Sequence, residues 1–392
     1  MRRLTAFAAA FATLFVASSV RADLPPLKIG IVYSYSGGGA TLGKTLDGAI
    51  DTWIALHGDT VAGRKVVFIR RDDTGIAPDV ARRQAQELVV QEHVDILMGS
   101  ALTPNAIAVA AVSTQAKVPF FIVNSATSNI IAKQPYSSRF GFTEAQATIP
   151  IAQWALRSGI KTAYVVFQDY GPGIDAGLTF EKTFTAGGGV ILGESRVPVA
   201  NQEYAAYIQR AKDTKPQALY VFLNNGGGSV AFLHGCKAAG YGRAGIKILA
   251  AGALVDEDYL PIIGVAADGL ITSLNYSTDH DSALNRQFVK TFAKVTGNGP
   301  IVPDFGSVAA FDVMAAIYKV VGAQNGTVDP DKTMELVKNL KFESPRGPIA
   351  IDPETRDIVQ NVYIRRTELK GGKLVNTEID TYPMVKDPSE HP

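Results

Sequence analysis

The strongest constraint on how this chain can fold is the alternation, along most of its length, of short apolar runs with longer stretches of helical period. We predict strands at Leu27–Tyr33, Val66–Arg71, Val94–Met98, Pro119–Val123, Thr162–Phe167, Val190–Val197, Ala218–Leu223, Ile246–Ala250 and Leu270–Leu274. We predict helices at Thr41–Leu56, Asp79–Gln91, Thr103–Gln115, Ala145–Arg157, Gly171–Thr185 and Gln202–Lys212. Strands that are apolar throughout and separated by helices predict a parallel sheet covered on both faces. The alternation runs once to about residue 144 and then begins again, which predicts an α/β fold of two similar doubly wound lobes.

The segments that follow the predicted strands are rich in glycine, serine, threonine and asparagine. In chain order, six of them read SYSGGGATLG, GSALTPNA, NSATSN, QDYGPG, NNGGGS and AGALVDED. In open parallel sheets, ligands bind beyond the carboxyl ends of the strands, where such loops meet helix N-termini. Apart from the acidic run that ends the last of them, none of the six carries a cluster of histidine, cysteine or carboxylate side chains. The loops therefore predict a binding surface and not a reactive one, and we expect no cofactor and no metal.

Residues 1–22, MRRLTAFAAAFATLFVASSVRA, have the parts of a secretory signal peptide: a basic start, an apolar centre and a small-residue cleavage site. The apolar centre is too short to span a bilayer as a stable helix. We therefore expect a mature chain that begins near Asp23 and lies in the periplasm. No cysteine follows the cleavage site to carry a lipid.

The mature chain is close to neutral, because three of the 38 basic residues lie in residues 1–22, which leaves 35 against 37 acidic residues. Without a basic run, the charge predicts no binding to nucleic acid or to an anionic membrane. Cys236 is the only cysteine, so no intrachain disulfide can form. Stability must come from the core, and roughly 370 residues are enough for two domains.

Several motifs, taken in order, resemble one known family. They are LKIGIVYSYSGGGATLGKTLDGA at Leu27–Ala49, RRDDTG followed by ARRQAQELV, ILMGS at Ile96–Ser100, VPFFIVNSAT at Val118–Thr127, RFGFTEAQ at Arg139–Gln146, QDYGPG at Gln168–Gly173 and KAAGY at Lys237–Tyr241. Their order and spacing are similar to those of the type I periplasmic solute-binding proteins of ABC importers, in the leucine/isoleucine/valine-binding branch. The similarity covers nearly the whole mature chain.

The resemblance implies two lobes joined by a hinge of three crossings, near residues 144, 274 and 345. Lobe 1 would consist of residues 23–144 and 275–345, and lobe 2 of residues 145–274 and 346–392. It also implies a monomer that closes over a small-molecule carboxylate ligand and delivers it to an ABC transporter membrane permease.

In this family, hydroxyl and backbone N–H groups from two loops of the first lobe hold the ligand's carboxylate. The resemblance places these loops at Leu102 and Thr103 and at Ser125, Ala126 and Thr127. Thr103 is followed by proline, the pattern of an N-cap with proline at the first helical position, so free N–H groups of that turn would face the cleft. Ordinary helix capping is the alternative reading of both loops, and capping and ligand contact can coexist.

The second lobe would contribute Tyr170, which occupies the family's aromatic position after the first strand of that lobe. Asn224 and Asn225 follow a later strand, and Tyr276 lies beside a crossing. Leu42 stands where amino-acid binders often carry an aromatic ring, so we expect it to form an apolar wall. Asparagine followed by glycine is also common in simple turns, which remains an alternative for Asn224 and Asn225.

The sequence departs from the amino-acid binders of this branch in the loop after Ile246–Ala250. Those proteins hold the ligand's ammonium with an acidic residue there, whereas this chain places Ala253 at that position and its nearest acid is Asp256. A buried ammonium without a partner costs several kcal/mol. We therefore predict an aromatic carboxylic acid, such as a benzoate or a cinnamate-like compound, as the ligand. A branched-chain or other amino acid is the alternative, if Asp256 reaches the ammonium.

Other motifs and other classes of function find less support. The Gly37–Gly39 run lacks the third glycine of a dinucleotide fingerprint, and the Asp72-Asp73 pair is interpreted as a structural turn. The histidines at 57, 93, 234, 280 and 391 have no metal-like spacing. The chain contains no GxSxG nucleophile elbow, the motif that would indicate a secreted α/β enzyme. A sensor that presents its ligand to a membrane receptor would use the same lobes, so the sequence does not separate it from a transport protein.

Overall fold

The computed structural model describes residues 24–200, 203–224 and 226–388; the predicted signal peptide lies outside them. The strands are β1 Leu27–Tyr33, β2 Thr60–Val61, β3 Arg64–Asp72, β4 Ile96–Gly99, β5 Phe120–Ile122, β6 Ser137–Arg139, β7 Thr162–Gln168, β8 Val190–Val197, β9 Ala218–Phe222, β10 Lys247–Ala251, β11 Ile271–Leu274, β12 Lys341–Ser344, β13 Gly347–Ile351, β14 Ile358–Lys370 and β15 Lys373–Val385. The helices are α1 Ala40–His57, α2 Pro78–Val90, α3 Thr103–Ala116, α4 Glu144–Arg157, α5 Gly171–Ala186, α6 Ala205–Asp213, α7 Gly227–Ala238, α8 Leu260–Ile263, α9 Ala283–Val295, α10 Phe305–Ala323 and α11 Pro330–Lys338. All nine predicted strands and all six predicted helices are present, with small differences at their ends.

The first sheet has six strands in the order β2-β3-β1-β4-β5-β6, and all its pairings are parallel except that of β2 with β3. Helices α1, α9 and α10 cover one face together with a large apolar cluster. Among the described residues, α10 is the one helix long and apolar enough to cross a membrane, and 83% of its apolar window is buried inside the fold. Such burial is typical of a core helix.

The second sheet has nine strands, of which β11-β10-β9-β7-β8 form a parallel series. Four C-terminal strands extend it with antiparallel pairings. Strand β14 is the centre of this extension: its first residues pair with β13, its middle with β11, and its whole length with β15. The predicted alternation included only parallel pairing, so this hairpin is an addition to the expected sheet.

The chain passes between the two sheets three times. It leaves β6 of the first sheet to form α4, which packs on α5, β11 and β14 of the second lobe. It returns after β11 to form α9, and it crosses again between α11 and β12. Strand β12 at Lys341–Ser344, which the predicted boundary at residue 345 assigns to lobe 1, pairs with β13 in the second sheet. The boundaries at 144 and 274 remain predictions.

Candidate ligand-binding site

The carboxyl ends of the parallel strands of both lobes face a common cleft. It contains a cavity of about 320 Å³, within the range of small-molecule sites. Both lobes line it, with the residues Ser34, Gly39, Leu42, Gly75, Ile76, Ala101, Leu102, Thr103, Asn124, Ala126, Phe142, Glu144, Tyr170, Pro172, Phe222, Asn224, Ala253 and Phe305.

Seven of the eleven predicted site residues line this cavity: Leu42, Leu102, Thr103, Ala126, Tyr170, Asn224 and Ala253. They come from five separate loops and from the first turns of helices α1 and α3, which the two sheets bring to one place. Thr127 lies directly beside them, with its hydroxyl oxygen 3.0 Å from that of Thr103. Asn225 lies outside the described residues.

Ser125 and Tyr276 are not among the lining residues. The buried Ser125 hydroxyl donates to the carbonyl oxygen of Ser100 at 3.0 Å, and so ties the loop after β5 to the loop after β4. Tyr276 is fully buried in the core of the first lobe, where its hydroxyl donates to the side-chain oxygen of Asn285 at 3.0 Å. The reason is the crossing after β11, which directs this side chain into lobe 1 and not toward the cleft.

The loop after β4 ends differently from the prediction. Helix α3 begins at Thr103 itself, and Leu102 is its N-cap with extended backbone, so no side chain caps this helix. Thr103 is the first helical residue and its hydroxyl contacts Thr127 instead of the backbone. The prediction of Thr103 as N-cap was therefore wrong by one residue. This arrangement favours ligand binding, since no described side chain caps the N–H groups in the first turn of α3.

We call the segments at Leu102–Thr103 and at Ser125–Thr127 the two anchoring loops. Arg139 of β6 fixes the backbone of the second one. Its fully buried guanidinium donates to the carbonyl oxygens of Ser125 at 2.8 Å and Thr127 at 2.6 Å, and pairs with Asp357 at 2.6 Å. The backbone N–H groups of Ala126 and Thr127 donate no backbone hydrogen bond to another described residue. The loop thus has its carbonyls bound on the protein side and N–H donors left for an anion.

Tyr170 and Asn224 form one polar unit on the second lobe. Tyr170 is the N-cap of α5, and its hydroxyl donates to the side-chain oxygen of Asn224. The next residue must be small, because a Cβ on Gly171 would lie 2.7 Å from the Thr127 hydroxyl. The two lobes therefore meet at this point. A second contact between lobes is the hydrogen bond from the Ser128 N–H to the Asp175 carboxylate, at 2.9 Å.

Aromatic side chains that the sequence reasoning missed form the apolar walls. Phe142 and Phe305 pack edge to face with ring centroids 5.6 Å apart and planes at 89°. On the opposite lobe, the ring centroids of Phe222 and Tyr170 lie 6.3 Å apart. Flat apolar surfaces of this kind suit a planar ligand. Their only sequence signal was position: Phe222 ends strand β9, Phe142 lies shortly after β6, and Phe305 begins helix α10.

Glu144, the first residue of α4, is another lining residue that sequence reasoning missed and, within the described part of the chain, the one lining residue with a charged side chain. Only 2% of its surface is exposed, and its Oε2 has no hydrogen-bond partner among the described residues. Burial, reinforced by the nearby Asp175 carboxylate, raises the pKa of Glu144 well above its ordinary value. The motif RFGFTEAQ contains it, but a glutamate at a helix start is also a common first-turn residue.

Ala253 presents a methyl group to the cavity where an ammonium partner was expected in amino-acid binders. Asp256 does not line the cavity; it is buried near Asp304 and Glu257, and burial together with these carboxylates raises its pKa well above the ordinary value. Among the described residues, no group of three or more histidine, cysteine or acidic side chains is arranged to hold a metal ion.

The Asp72-Asp73 pair has the structural role inferred for it. The Asp72 carboxylate accepts from the N–H groups of Tyr35 and Thr74, at 2.9 Å in each case. Asp73 accepts from the Ser34 hydroxyl at 2.6 Å and from the Asn105 amide at 2.7 Å. Both carboxylates fix the loops after β1 and β3 and so hold Ser34 at the cavity wall.

The chain is similar to known proteins over nearly its whole length. Residues 26–373 match the periplasmic binding protein family. A protein of Brucella melitensis named Leu/Ile/Val-binding protein homolog 6 is 39% identical over 373 residues, which cover 95% of each chain.

Among the solved structures that share the fold over 93% of this chain are two solute-binding proteins. One is a solute-binding protein of an ABC transporter from Rhodopseudomonas palustris BisB5 in complex with 3,4-dihydroxybenzoic acid; it has 42% identity, 99% of that chain covered and a TM-score of 0.88. The other is a solute-binding protein from R. palustris in complex with 4-hydroxybenzoate, with 39% identity, 98% of that chain covered and a TM-score of 0.90. These similarities confirm the predicted two-lobe α/β fold.

Proposed function

This chain belongs to the periplasmic binding protein family, and from that premise we propose that it is the solute-binding component of an ABC importer for a small aromatic carboxylic acid. It binds a benzoate-like ligand in the cleft between the lobes and delivers it to the membrane permease. It acts in the periplasm as a monomer after removal of residues 1–22, and it binds neither nucleic acid nor a cofactor.

The observation that carries this proposal is the division of the cleft into one anion-binding wall and several aromatic walls. Free N–H groups of Ala126 and Thr127, together with the Thr103 and Thr127 hydroxyls, can hold a carboxylate without a buried arginine. Phe142 and Phe305 offer flat surfaces for a ring. Burying a ring of this kind stabilises a complex by roughly 1.5–3 kcal/mol. The two related proteins with bound hydroxybenzoates support the same assignment.

The mechanism we propose is a hinged clamp. The ligand carboxylate first docks on the loops of lobe 1 that contain Thr103 and Thr127. Lobe 2 then closes with Tyr170 over the ring, and the Ser128–Asp175 hydrogen bond joins the lobes. Only the closed form would present both lobes correctly to the permease.

An amino acid is the second candidate ligand, because one specific observation favours it. Glu144 places a carboxyl group at the cavity wall, where it could pair with an ammonium in place of the acid missing at Ala253. The name of the Brucella relative points in the same direction.

Calorimetric titration of the mature protein, stripped of bound ligand by unfolding and refolding, separates the candidates. We expect tight binding of 4-hydroxybenzoate and no heat with leucine. Tight leucine binding without 4-hydroxybenzoate binding would exclude the aromatic assignment and leave the fold assignment intact. X-ray scattering with saturating ligand should show compaction, and its absence would exclude the clamp.

A further inference from the structure

Glu144 occupies a position that neither the fold nor the anchoring of a carboxylate explains. Its backbone N–H donates to the Ala126 carbonyl oxygen at 2.8 Å, which places it beside the loop proposed to hold the ligand's carboxylate. Its side chain is almost fully buried at the cavity wall, with Oε2 lacking a partner among the described residues. A buried carboxyl oxygen without a partner is costly, so a ligand atom is its natural partner.

The charged and titratable groups around Glu144 do not favour its ionised form. Asp175 and Tyr170 face it from α5, and Tyr220 faces it from β9. On β14, which also packs against α4, the Arg365 guanidinium donates to the carbonyl oxygens of Tyr276 and Gly252 and lies 3.6 Å from Glu257. The burial of Glu144 and the carboxylate of Asp175 both raise the pKa of Glu144.

A bound aromatic acid would add another negative charge to this wall. An ionised Glu144 beside it would be repelled strongly, because the closed cleft holds little water to screen the two charges. A neutral carboxyl group avoids this repulsion and gains a function, since its O–H can donate a hydrogen bond. In the open cleft, by contrast, water can reach the same carboxyl group and stabilise its ionised form.

We propose that Glu144 is a ligand-binding residue that takes up one proton when the cleft closes over an aromatic carboxylate, and that its O–H then donates a hydrogen bond to an oxygen atom of the ligand. The proton comes from the solvent buffer, and no other bond forms or breaks. This inference rests on the proposed function. A zwitterionic amino acid would behave differently, because its ammonium would pair with the ionised carboxylate and no proton would be taken up.

The first test is calorimetric titration of the unmodified protein with 4-hydroxybenzoate, in buffers of different ionisation enthalpy between about pH 6 and pH 8. We expect uptake of close to one proton at the upper end of this range. Linkage then requires the affinity to fall, by up to tenfold per pH unit, where the carboxyl group of the open form is ionised. Tight, pH-independent binding of 4-hydroxybenzoate without proton uptake would overturn the inference and leave the proposed function standing. Binding of leucine alone would overturn the proposed function itself.

Two variants assign the proton to this residue. Glu144→Gln keeps a neutral group that can donate, so we expect affinity within about threefold of the unmodified protein at pH 6, no proton uptake and no pH dependence. Glu144→Leu removes the donor and should bind at least tenfold more weakly at pH 6. Proton uptake that persists unchanged in Glu144→Gln would overturn the assignment.

Glu181→Gln is the matched control. Glu181 lies on α5 away from the cavity, and burial with the nearby Glu194 raises its pKa to about 7, so it is a second carboxyl group that titrates in the same range. We expect this variant to keep the proton uptake and the pH dependence of ligand binding. Circular dichroism and thermal unfolding of each variant show whether it folds; if Glu144→Gln does not, the proton uptake of the unmodified protein decides.

Discussion

The hydroxyl oxygens of Thr103 and Thr127 lie 3.0 Å apart, although Thr103 begins helix α3 after β4 and Thr127 lies in the loop after β5. Only one of the two can donate to the other, so the remaining O–H is free to donate to a ligand carboxylate. The pair thus both joins the anchoring loops and provides a donor at their junction.

We therefore expect Thr103→Val and Thr127→Val each to weaken 4-hydroxybenzoate binding by roughly tenfold, the effect of one lost hydrogen bond to a charged group. The double variant should lose less than the sum of the two, because the hydroxyls interact. Titration calorimetry measures all three. Thr114→Val is the control: Thr114 lies near the end of α3, where its hydroxyl donates to Gln134. Unchanged affinity in both single variants would remove these hydroxyls from the site.

A substitution at Arg139 tests how the anchoring loop that contains Ser125 and Thr127 is held in place. Replacing it with methionine removes the donors for the Ser125 and Thr127 carbonyls and leaves Asp357 without its buried arginine. We expect Arg139→Met to lower the free energy of unfolding by about 3–5 kcal/mol. Denaturant unfolding measures this. Arg157→Met, which removes an exposed pair with Asp380, should cost less than about 1 kcal/mol. Equal effects of the two variants would contradict the role assigned to Arg139.

Most of the parallel core of both lobes could be predicted from sequence because strands such as β4, β5 and β9 are continuous apolar runs, a signal that is local. Strand β6 at Ser137–Arg139 is polar and was not predicted. The C-terminal hairpin of β14 and β15 could not be predicted either. Its strands mix exposed and buried residues, and its pairing with β11 joins residues far apart in the chain. Periodicity in one segment contains no information about such a partner.

The candidate site was predictable where the family resemblance and the composition of the loops agree, as at Thr103 and Ala126. It was not predictable where the path of the chain decides the direction of a side chain. Tyr276 follows a strand that ends at the cleft, yet the crossing turns it into the lobe 1 core. Glu144 has the sequence context of an ordinary helix start, and only the packing of α4 against α5 and the second sheet shows that its carboxyl group is buried at the cavity.

The hydrogen bond from the Ser128 N–H to Asp175 predicts a contribution to closure, because it joins a loop of lobe 1 to a helix of lobe 2. We expect Asp175→Ala to weaken ligand binding by about tenfold, the value of one charge-assisted hydrogen bond. Asp175→Asn, which keeps an acceptor oxygen, should recover part of this loss. Scattering with ligand should show less compaction for Asp175→Ala than for the unmodified protein. Asp213→Ala, at the C-terminal end of α6, is the control. Full compaction in Asp175→Ala would mean that this bond does not hold the lobes together.

The raised pKa of Asp258 predicts how the free energy of unfolding depends on pH. Burial, with the nearby Asp304 carboxylate, raises the pKa of Asp258 to about 7. Between about pH 4 and pH 7 the folded protein therefore keeps a proton that the unfolded chain has lost. Since the folded state binds more protons there, stability falls as pH rises through this window and is constant above it.

Asp258→Asn replaces the titratable carboxyl group with a neutral amide. The amide keeps an oxygen that can accept from the Val302 N–H, a contact of 3.4 Å in the unmodified protein. We expect this variant to be more stable than the unmodified protein at pH 8, by on the order of 2 kcal/mol, and equally stable at pH 4. Thermal unfolding at both pH values measures the difference. The exposed Asp268, changed to asparagine, should show no such gain. A loss of stability in Asp258→Asn at pH 8 would mean that the ionised carboxylate has a stabilising partner, because desolvation alone can only favour the neutral side chain.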